Sequence, residues 1–357
     1  ATDLAQHALW RHMDPDHPQH EPGNPYQDAI QHIYQKADDA VGALLEQVYD
    51  ETTEIVKSDH CFGPLHGVVN LNVLLWRAGL LRFKRTLLAQ LRAITFRLGL
   101  TPSTAYRWLA RLGLQNIVAR VSKSARNAVF DKFLSFNDVD WDRTLAYSLG
   151  HMGQIYVNGT GGHPGSQSRS SGRRQAARDS SGTGKEQGYN QVLDALSTLN
   201  TPDGRPMLDL AIRQSALPSG PHQDQGPDLH VILDSYRYIS CPLFATDGNV
   251  ISRQIRGDSG SHRLHGILIA AGPQIQPSAA LDKPRIVDLA PTVLHVMGCP
   301  VPEDMDGRVL AEALAGEGPA APAQAVEPTL PGQDAHVLSE DEEAEIEARL
   351  KGLGYLG

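Results

Sequence analysis

Apolar positions along the chain predict several helices. Residues 26–49 place apolar side chains three or four positions apart, which is typical of an amphipathic helix. Residues 70–81 are also expected to be helical. In residues 287–297 the apolar side chains share one helical face, and Gly298 would end that helix because glycine readily adopts the left-handed conformation of a helix C-terminus.

Short apolar runs predict the strands of a sheet. Residues 54–57 follow a polar turn, and the runs 229–233 and 266–270 are rich in β-branched residues and leucine. Helices that alternate with short strands and polar clusters are typical of an α/β sheet. In such sheets ligands gather beyond the carboxyl ends of the strands, where Asp59 and His60 follow the first strand.

Composition divides the chain further. Residues 82–132 are rich in Arg, Lys and Leu, and we interpret them as an inserted helical cap, with connecting helices that carry a solvated basic face as an equal alternative. Residues 159–188 contain mainly Gly, Ser and Arg and predict a flexible insert. The expected order is core, cap, core, Pro-rich linker and C-terminal helix, with these boundaries: 1–81, 82–146, 147–314, 315–336 and 337–357.

Charge and cysteine content narrow the class of protein. The formal net charge of -9 argues against a dedicated nucleic-acid binder, which usually carries a basic excess. The chain contains no apolar run of roughly 18 residues, so no membrane span is expected. Three widely separated cysteines predict neither a disulfide framework nor a cysteine zinc site, and they favour a reducing, cytoplasmic location.

The first cluster that could carry chemistry is Asp3 with His7. A spacing of four places both side chains on one face of a helix, where a carboxylate and an imidazole form half a site for zinc or manganese. Taken alone, the pair is more typical of a helix-capping aspartate beside a surface histidine.

Two further clusters carry the same residue types. Asp59 and His60 can converge on one ion only if the chain turns there, and Gly63 and Pro64 would supply such a turn. His262 would complete a three-ligand site with the first cluster, with an open position for substrate or water. His265 competes for this role, although a structural, hydrogen-bonded histidine is the simpler interpretation of that residue.

Carboxylates and imidazoles together suit divalent ions that act on phosphate. Two ions roughly 4 Å apart can hold the attacking and leaving oxygens of a phosphoryl transfer. They also offset the negative charge that spreads over the phosphoryl oxygens. The combination of the three clusters therefore favours a two-metal hydrolase over a structural zinc protein.

The clusters occur in motifs that resemble the alkaline phosphatase superfamily, most closely its type I phosphodiesterase and nucleotide pyrophosphatase branch with the predicted phosphohydrolase/phosphomutase members. The similar segments cover most of residues 1–314. They include TDLAQH, SDHCFGP, GHMGQIYVN, GSHRLHG, DLAPTVL and MDGR, which begin at residues 2, 58, 150, 260, 288 and 305. Each motif is common, but their order along the chain is specific.

The resemblance implies a three-layer α/β sandwich with a mixed, mostly parallel central sheet. It implies that one metal is bound by Asp3, His7 and His262, and that Asp59 and His60 help to bind a second. Both ions would be zinc, or alternatively manganese. A Thr or Ser nucleophile and a further Asp would precede Ala1, while Ser58 would be structural. The expected substrate is a small phosphate mono- or diester.

Several departures from the family pattern leave alternatives open. Cys61 stands where the family usually has Gly, and Lys57 lies in a strand that should be buried. A sulfatase is one alternative, but such enzymes use a CxPxR motif that none of the three cysteines matches. A non-catalytic metal-binding remnant that lacks the nucleophile is the other.

Overall fold

The structure is a computed structural model that describes residues 2–101, 104–105, 108, 111–112, 133–158, 182–217, 220, 223–244, 246–253 and 257–316. It divides into two compact units. The first comprises Ala1–Gln47 with Ser58–Ile267, and the second comprises Val48–Lys57 with Leu268–Gly357. The predicted C-terminal helix, nearly all of the predicted linker and residues 159–181 of the predicted insert lie outside the described residues.

The described residues contain six α-helices and eleven strands. The helices are α1 (Thr2–Met13), α2 (Ala29–Leu45), α3 (Leu71–Arg77), α4 (Leu87–Arg97), α5 (Gly182–Ser197) and α6 (Leu289–Val296). The strands are β1 (Glu54–Ser58), β2 (Cys61–Pro64), β3 (Gly67–Val69), β4 (Ala146–Ser148), β5 (Gln154–Val157), β6 (Leu208–Arg213), β7 (Leu229–Leu233), β8 (Tyr238–Ser240), β9 (Ile251–Ser252), β10 (Gly260–Arg263) and β11 (Ile267–Ala271). Among these helices, none combines the length and apolar character needed to cross a bilayer.

The predicted elements are confirmed with small shifts at their ends. The helices expected from apolar spacing are α2, α3 and α6, each shorter than predicted. The three expected strands are β1, β7 and β11. Helix ends are the least certain part of any pattern-based boundary, because capping depends on groups distant in sequence.

The first unit contains a seven-stranded mixed sheet with the order β4-β5-β7-β8-β3-β9, and β6 also pairs with β7. The α/β class is therefore confirmed, but the expectation of mostly parallel strands is wrong for this sheet. Only β3 and β8 run parallel, and the other described pairs in it are antiparallel. Short connections such as residues 149–153 and 234–237 reverse the chain directly, whereas parallel neighbours need a long crossover.

The core of the first unit lies around this sheet. Strand β7 alternates buried and half-buried residues, while α3 and α5 contribute leucines that solvent does not reach. Helix α4, in the predicted cap, buries Ala93 and Phe96 in the same apolar cluster. The predicted boundaries of the cap and the three-layer arrangement remain predictions.

The beginning of α5 corrects the predicted flexible insert. Residues 182–188 belong to the helix rather than to a loop. Lys185 pairs with Asp228 at 2.5 Å, and Glu186 forms two bonds of 2.8 Å with Arg213. Composition did not reveal these ion pairs because both partners lie distant in sequence.

The second unit contains β1, β11 and α6. Lys57 is exposed in β1, so the expected burial of its charge does not occur. The carboxylate of Asp288, before α6, is 1% exposed and accepts the backbone N–H groups of Arg285 at 2.8 Å and Arg308 at 3.0 Å. These two bonds connect the DLAPTVL motif with the MDGR motif.

Replacement of Asp288 by Ala should lower the free energy of unfolding of the second unit by about 2–3 kcal/mol, because two backbone N–H groups lose a charged acceptor. Urea unfolding, with amide hydrogen exchange of residues 285–310, measures the effect. Asp282→Ala is the control, since its side chain is exposed, and it should change stability by less than about 0.5 kcal/mol. Equal losses of unfolding free energy in the two variants would contradict the role of Asp288 as an acceptor of the two backbone N–H groups.

The effect of Asp288 should also depend on pH. Burial raises the pKa of this carboxyl, but the N–H groups of Arg308 and Arg285 outweigh burial and hold the pKa below its ordinary value. Its contribution is therefore complete above the unfolded-state pKa of about 3.9 and is lost as pH falls through the lower folded-state pKa. The difference in stability between wild type and Asp288→Ala should shrink over that acidic range.

Candidate metal centre

Helix α1 presents Asp3 and His7 on one face, as their spacing predicts. The Nδ1 atom of His7 lies 3.0 Å from the carbonyl oxygen of Gly260, which can only accept a hydrogen bond. His7 therefore donates from Nδ1, which leaves Nε2 as the nitrogen that can bind a metal. This arrangement, in which a second polar group fixes the tautomer, is the usual support for a metal-binding histidine.

The antiparallel pairing of β2 with β10 brings the other two histidines together. In this pairing Phe62 is opposite His262, and Cys61 is opposite Arg263. His60 immediately precedes β2. Its ring stacks on that of His262 with centroids 3.8 Å apart and planes 15° apart.

All three imidazoles face a single carboxylate oxygen. Asp3 Oδ1 lies 3.4 Å from His262 Nε2, 3.9 Å from His7 Nε2 and 4.0 Å from His60 Nε2. The Nε2 atoms of His7 and His262 are 3.1 Å apart. We call Asp3, His7, His60 and His262 the histidine cluster.

The carboxylate oxygen at the middle of the cluster lacks a hydrogen bond. The side chain of Asp3 is 46% exposed as a whole, yet its Oδ1 atom is enclosed and has no hydrogen-bond partner within the part of the chain that the structure describes. An enclosed acceptor without a partner is costly in free energy. A cation in contact with Oδ1 would remove that cost.

The environment of His262 favours the neutral form of its imidazole. Burial lowers the pKa of His262, the adjacent His60 and His7 lower it further, and Asp3 opposes the shift only in part. Neutral imidazole is the form that binds a metal.

Phe62 is a part of the site that sequence reasoning missed. Its ring centroid lies 4.8 Å from that of His7, 5.1 Å from His262 and 5.6 Å from His60, and Trp10 stacks beyond it. This apolar wall restrains the orientation of all three imidazoles. The alternation of side chains in β2 places Phe62 on a defined face, but nothing local indicated which residues that face would meet.

Ser259 and Gly260 attach α1 to β10. Ser259 N donates to His7 O at 2.6 Å, and its hydroxyl donates to Ala8 O at 3.1 Å. A side chain at Gly260 would collide with the carbonyl oxygen of Gln6, so glycine permits the close approach of the helix. These contacts determine the position of Asp3 and His7 relative to the other histidines.

Arg263 secures the other side of β10. Its guanidinium donates to Pro64 O at 2.6 Å and to His262 O and Tyr236 O, both at 3.0 Å. Burial, followed by the charge of Arg237, lowers the pKa of Arg263 to about 10. The side chain therefore joins β2, β10 and the turn before β8 directly beside His262.

The remaining candidate residues lie outside the cluster. Asp59 and His265 are exposed, and among the described residues no ion pair or hydrogen bond joins either side chain to the cluster. Cys61 lies in β2, is absent from the described non-glycine residues with positive φ, and so does not carry the expected strain. The hydroxyl of Ser58 donates to His60 O at 2.7 Å, which agrees with a structural role.

Part of the chain, including three of the four residues of the histidine cluster, matches a known protein family. Residues 3–138 match the model of the type I phosphodiesterase / nucleotide pyrophosphatase family. The predicted resemblance to the alkaline phosphatase superfamily, in its type I phosphodiesterase and nucleotide pyrophosphatase branch, is confirmed for this region. The match includes every predicted metal ligand except His262, which the fold brings to Asp3, His7 and His60.

No curated protein matches the chain. Among solved structures, human ectonucleotide pyrophosphatase / phosphodiesterase 5 is similar, with 12% sequence identity and a TM-score of 0.39. The similarity covers 87% of this chain and 56% of that chain, so the present chain spans little more than half of that protein's length.

Replacement of Gly260 by Ala should displace α1 and lower the free energy of unfolding by about 1–3 kcal/mol, because the added methyl group meets the Gln6 carbonyl. Amide hydrogen exchange of residues 2–13 should become faster. Gly42→Ala is the control, since no atom lies within 4 Å of the added methyl group, and it should stabilise α2 by up to about 1 kcal/mol. Unchanged exchange in α1 of the Gly260→Ala protein would refute the role of this contact.

Proposed function

We propose that the histidine cluster binds a divalent cation and that the chain functions as a metal-dependent phosphoester hydrolase similar to phosphodiesterases and nucleotide pyrophosphatases. One observation carries the proposal: Asp3 Oδ1 is enclosed, has no hydrogen bond in the described part of the chain, and faces three imidazole Nε2 atoms within 4.0 Å. The family match over residues 3–138 supports the type of reaction.

Part of the cluster has the spacing of ligands that share a cation. One ligand atom each of Asp3, His60 and His262 lies within 4.8 Å of the others, whereas Asp3 Oδ1 is 3.9 Å from His7 and 4.0 Å from His60. Zinc bonds of about 2.0–2.2 Å in tetrahedral geometry separate neighbouring ligand atoms by roughly 3.3 Å. The distances from Asp3 Oδ1 to His262 and from His7 to His262 are 3.4 and 3.1 Å. At 3.1 Å two ring nitrogens need either a proton or a cation between them, because two lone pairs repel.

The donor types also fit a catalytic rather than a structural ion. Imidazole and carboxylate suit zinc and manganese, and the cluster contains no thiolate. A bound cation would supply positive charge that stabilises the phosphoryl oxygens as negative charge spreads over them. The protein would hold the histidines in place through Gly260 and Phe62 and would screen one side of the site from water.

A second cation is part of the proposal only through the resemblance. Its ligands would be Asp59 and His60, but Asp59 is exposed, no described ion pair or hydrogen bond joins it to the cluster, and His60 already faces Asp3. A non-catalytic cation-binding protein is therefore the second candidate. Measurements of both metal stoichiometry and turnover distinguish the two.

His262→Ala should reduce the affinity for zinc by at least about tenfold, because it removes the ligand closest to both Asp3 and His7. Isothermal titration calorimetry and elemental analysis of the purified chain measure affinity and stoichiometry. His265→Ala is a matched control, since this exposed histidine is three residues away. If zinc stoichiometry and affinity stay at wild-type values in His262→Ala, the assignment of the cluster fails.

Activity should be tested with an aryl phosphodiester, an aryl phosphate and the corresponding aryl sulfate, with and without zinc or manganese. We expect metal-dependent release of the aryl alcohol from a phosphate ester and its loss in Asp3→Asn. Zinc binding without hydrolysis of any ester would favour the non-catalytic candidate. Faster cleavage of the sulfate ester than of the phosphate ester would favour a sulfatase.

A further inference from the structure

Helix α4 carries an apolar ridge that faces solvent. On one face of this helix, Ala89, Ala93 and Phe96 are buried. On the opposite side, one helical stripe consists of leucine and isoleucine side chains that are between 56% and 88% exposed: Leu87, Leu91, Ile94 and Leu98. The spacing of this stripe, at intervals of three and four, makes it continuous along the helix.

Exposed cations lie near both ends of this ridge in the described part of the chain. Residues 82–132 contain eleven Lys and Arg and a single acidic residue, Asp131, although the whole chain has an acidic excess. Lys84, Arg85 and Arg97 are exposed beside the ridge. The two arginines have no acidic partner in the described part of the chain. A helix with apolar and basic faces is typical of proteins that bind the surface of an anionic membrane.

A cleft next to the start of α4 adds positions for an anion. Its polar lining includes Arg82, Arg85 and Gln90, and Arg143 also lines it while paired with Asp140 at 3.4 Å. Guanidinium groups bind phosphate oxygens through parallel hydrogen bonds. The cleft therefore offers contacts for a phosphate headgroup immediately beside side chains that could enter the acyl region.

Helix α2 shows that exposed apolar side chains are not always accompanied by exposed cations. It also exposes apolar side chains, with Leu44 at 68%, but Asp38, Asp39 and Glu46 accompany them. An anionic surface would repel α2 and attract α4. The two helices expose similar apolar side chains, but only the charges around α4 favour binding to an anionic surface.

We propose that residues 82–101 form a docking surface for a bilayer that contains anionic phospholipid, with α4 parallel to the membrane plane. The leucine ridge would enter the interface, and Arg85 and Arg97 would meet the headgroups. A nucleic acid would bind the cations but would leave the leucine side chains without an apolar partner. Two copies that met through this face would bring like charges together, which costs free energy.

The test is sedimentation of the full chain with vesicles of phosphatidylcholine alone and of phosphatidylcholine with an equal amount of phosphatidylglycerol. We expect binding at least tenfold stronger to the anionic vesicles and its loss at high salt. Arg85→Gln with Arg97→Gln should weaken binding by roughly 30-fold, at about 1 kcal/mol for each cation. Leu91→Gln with Ile94→Gln should weaken it at least tenfold.

Leu44→Gln is the matched control, because it removes an equally exposed leucine from the acidic helix α2, and it should leave binding unchanged. Circular dichroism of every variant should match that of wild type, since all altered side chains are exposed or at the surface. Equal binding to both kinds of vesicle, no binding to either, or the same loss in Leu44→Gln would overturn the proposal. Concentration-dependent dimerisation that Leu91→Gln with Ile94→Gln abolishes, without vesicle binding, would instead make this face a contact between copies.

Discussion

The attachment of α1 to β10 is the contact on which the histidine cluster depends. More than 250 residues separate His7 from Ser259 and Gly260, yet backbone and hydroxyl hydrogen bonds join them. Such a contact closes a loop of that length, which has an entropic cost that the contact itself must offset. Assembly of the site therefore depends on the pairing of β2 with β10 and on the attachment of α1 to β10.

Within the cluster, a balance of charges explains why these four residues belong together. One carboxylate oxygen is removed from water and receives no hydrogen bond, while the nearby imidazole of His262 has a pKa lowered by burial and by its neighbours. The His262 imidazole does not satisfy the Asp3 oxygen, because a neutral imidazole has only one N–H and Oδ1 receives no hydrogen bond. The arrangement gains stability from a positive charge placed between the nitrogens and the oxygen, which is why we interpret it as a cation site.

Charge is distributed unevenly along the chain, and this distribution changes the interpretation of its surface. The acidic excess of the whole molecule conceals a segment with a strong basic excess, in which α4 also exposes leucine. Net charge alone argued against polyanionic partners. The local basic excess and the exposed apolar face of α4 together support an anionic phospholipid bilayer as a partner.

Helical periodicity identified α2, α3 and α6, and apolar runs identified β1, β7 and β11, because these patterns reflect which faces are buried. The spacing of Asp3 and His7 and the chemistry of the histidines were also visible in the order of residues. Strand direction was not, since it depends on which connections reverse the chain. The inclusion of Phe62 depended on the β2–β10 register, which a pairing across about 200 residues determines.

The sequence by itself therefore determined the residue types of the site, three of the helices, three of the strands and the family resemblance over its first part. The tertiary structure decided which of those residues meet, because their mutual distances follow from long-range backbone pairing and from the close approach that Gly260 permits. Local pattern cannot encode that approach, since a glycine at the contact looks the same as a glycine in any turn.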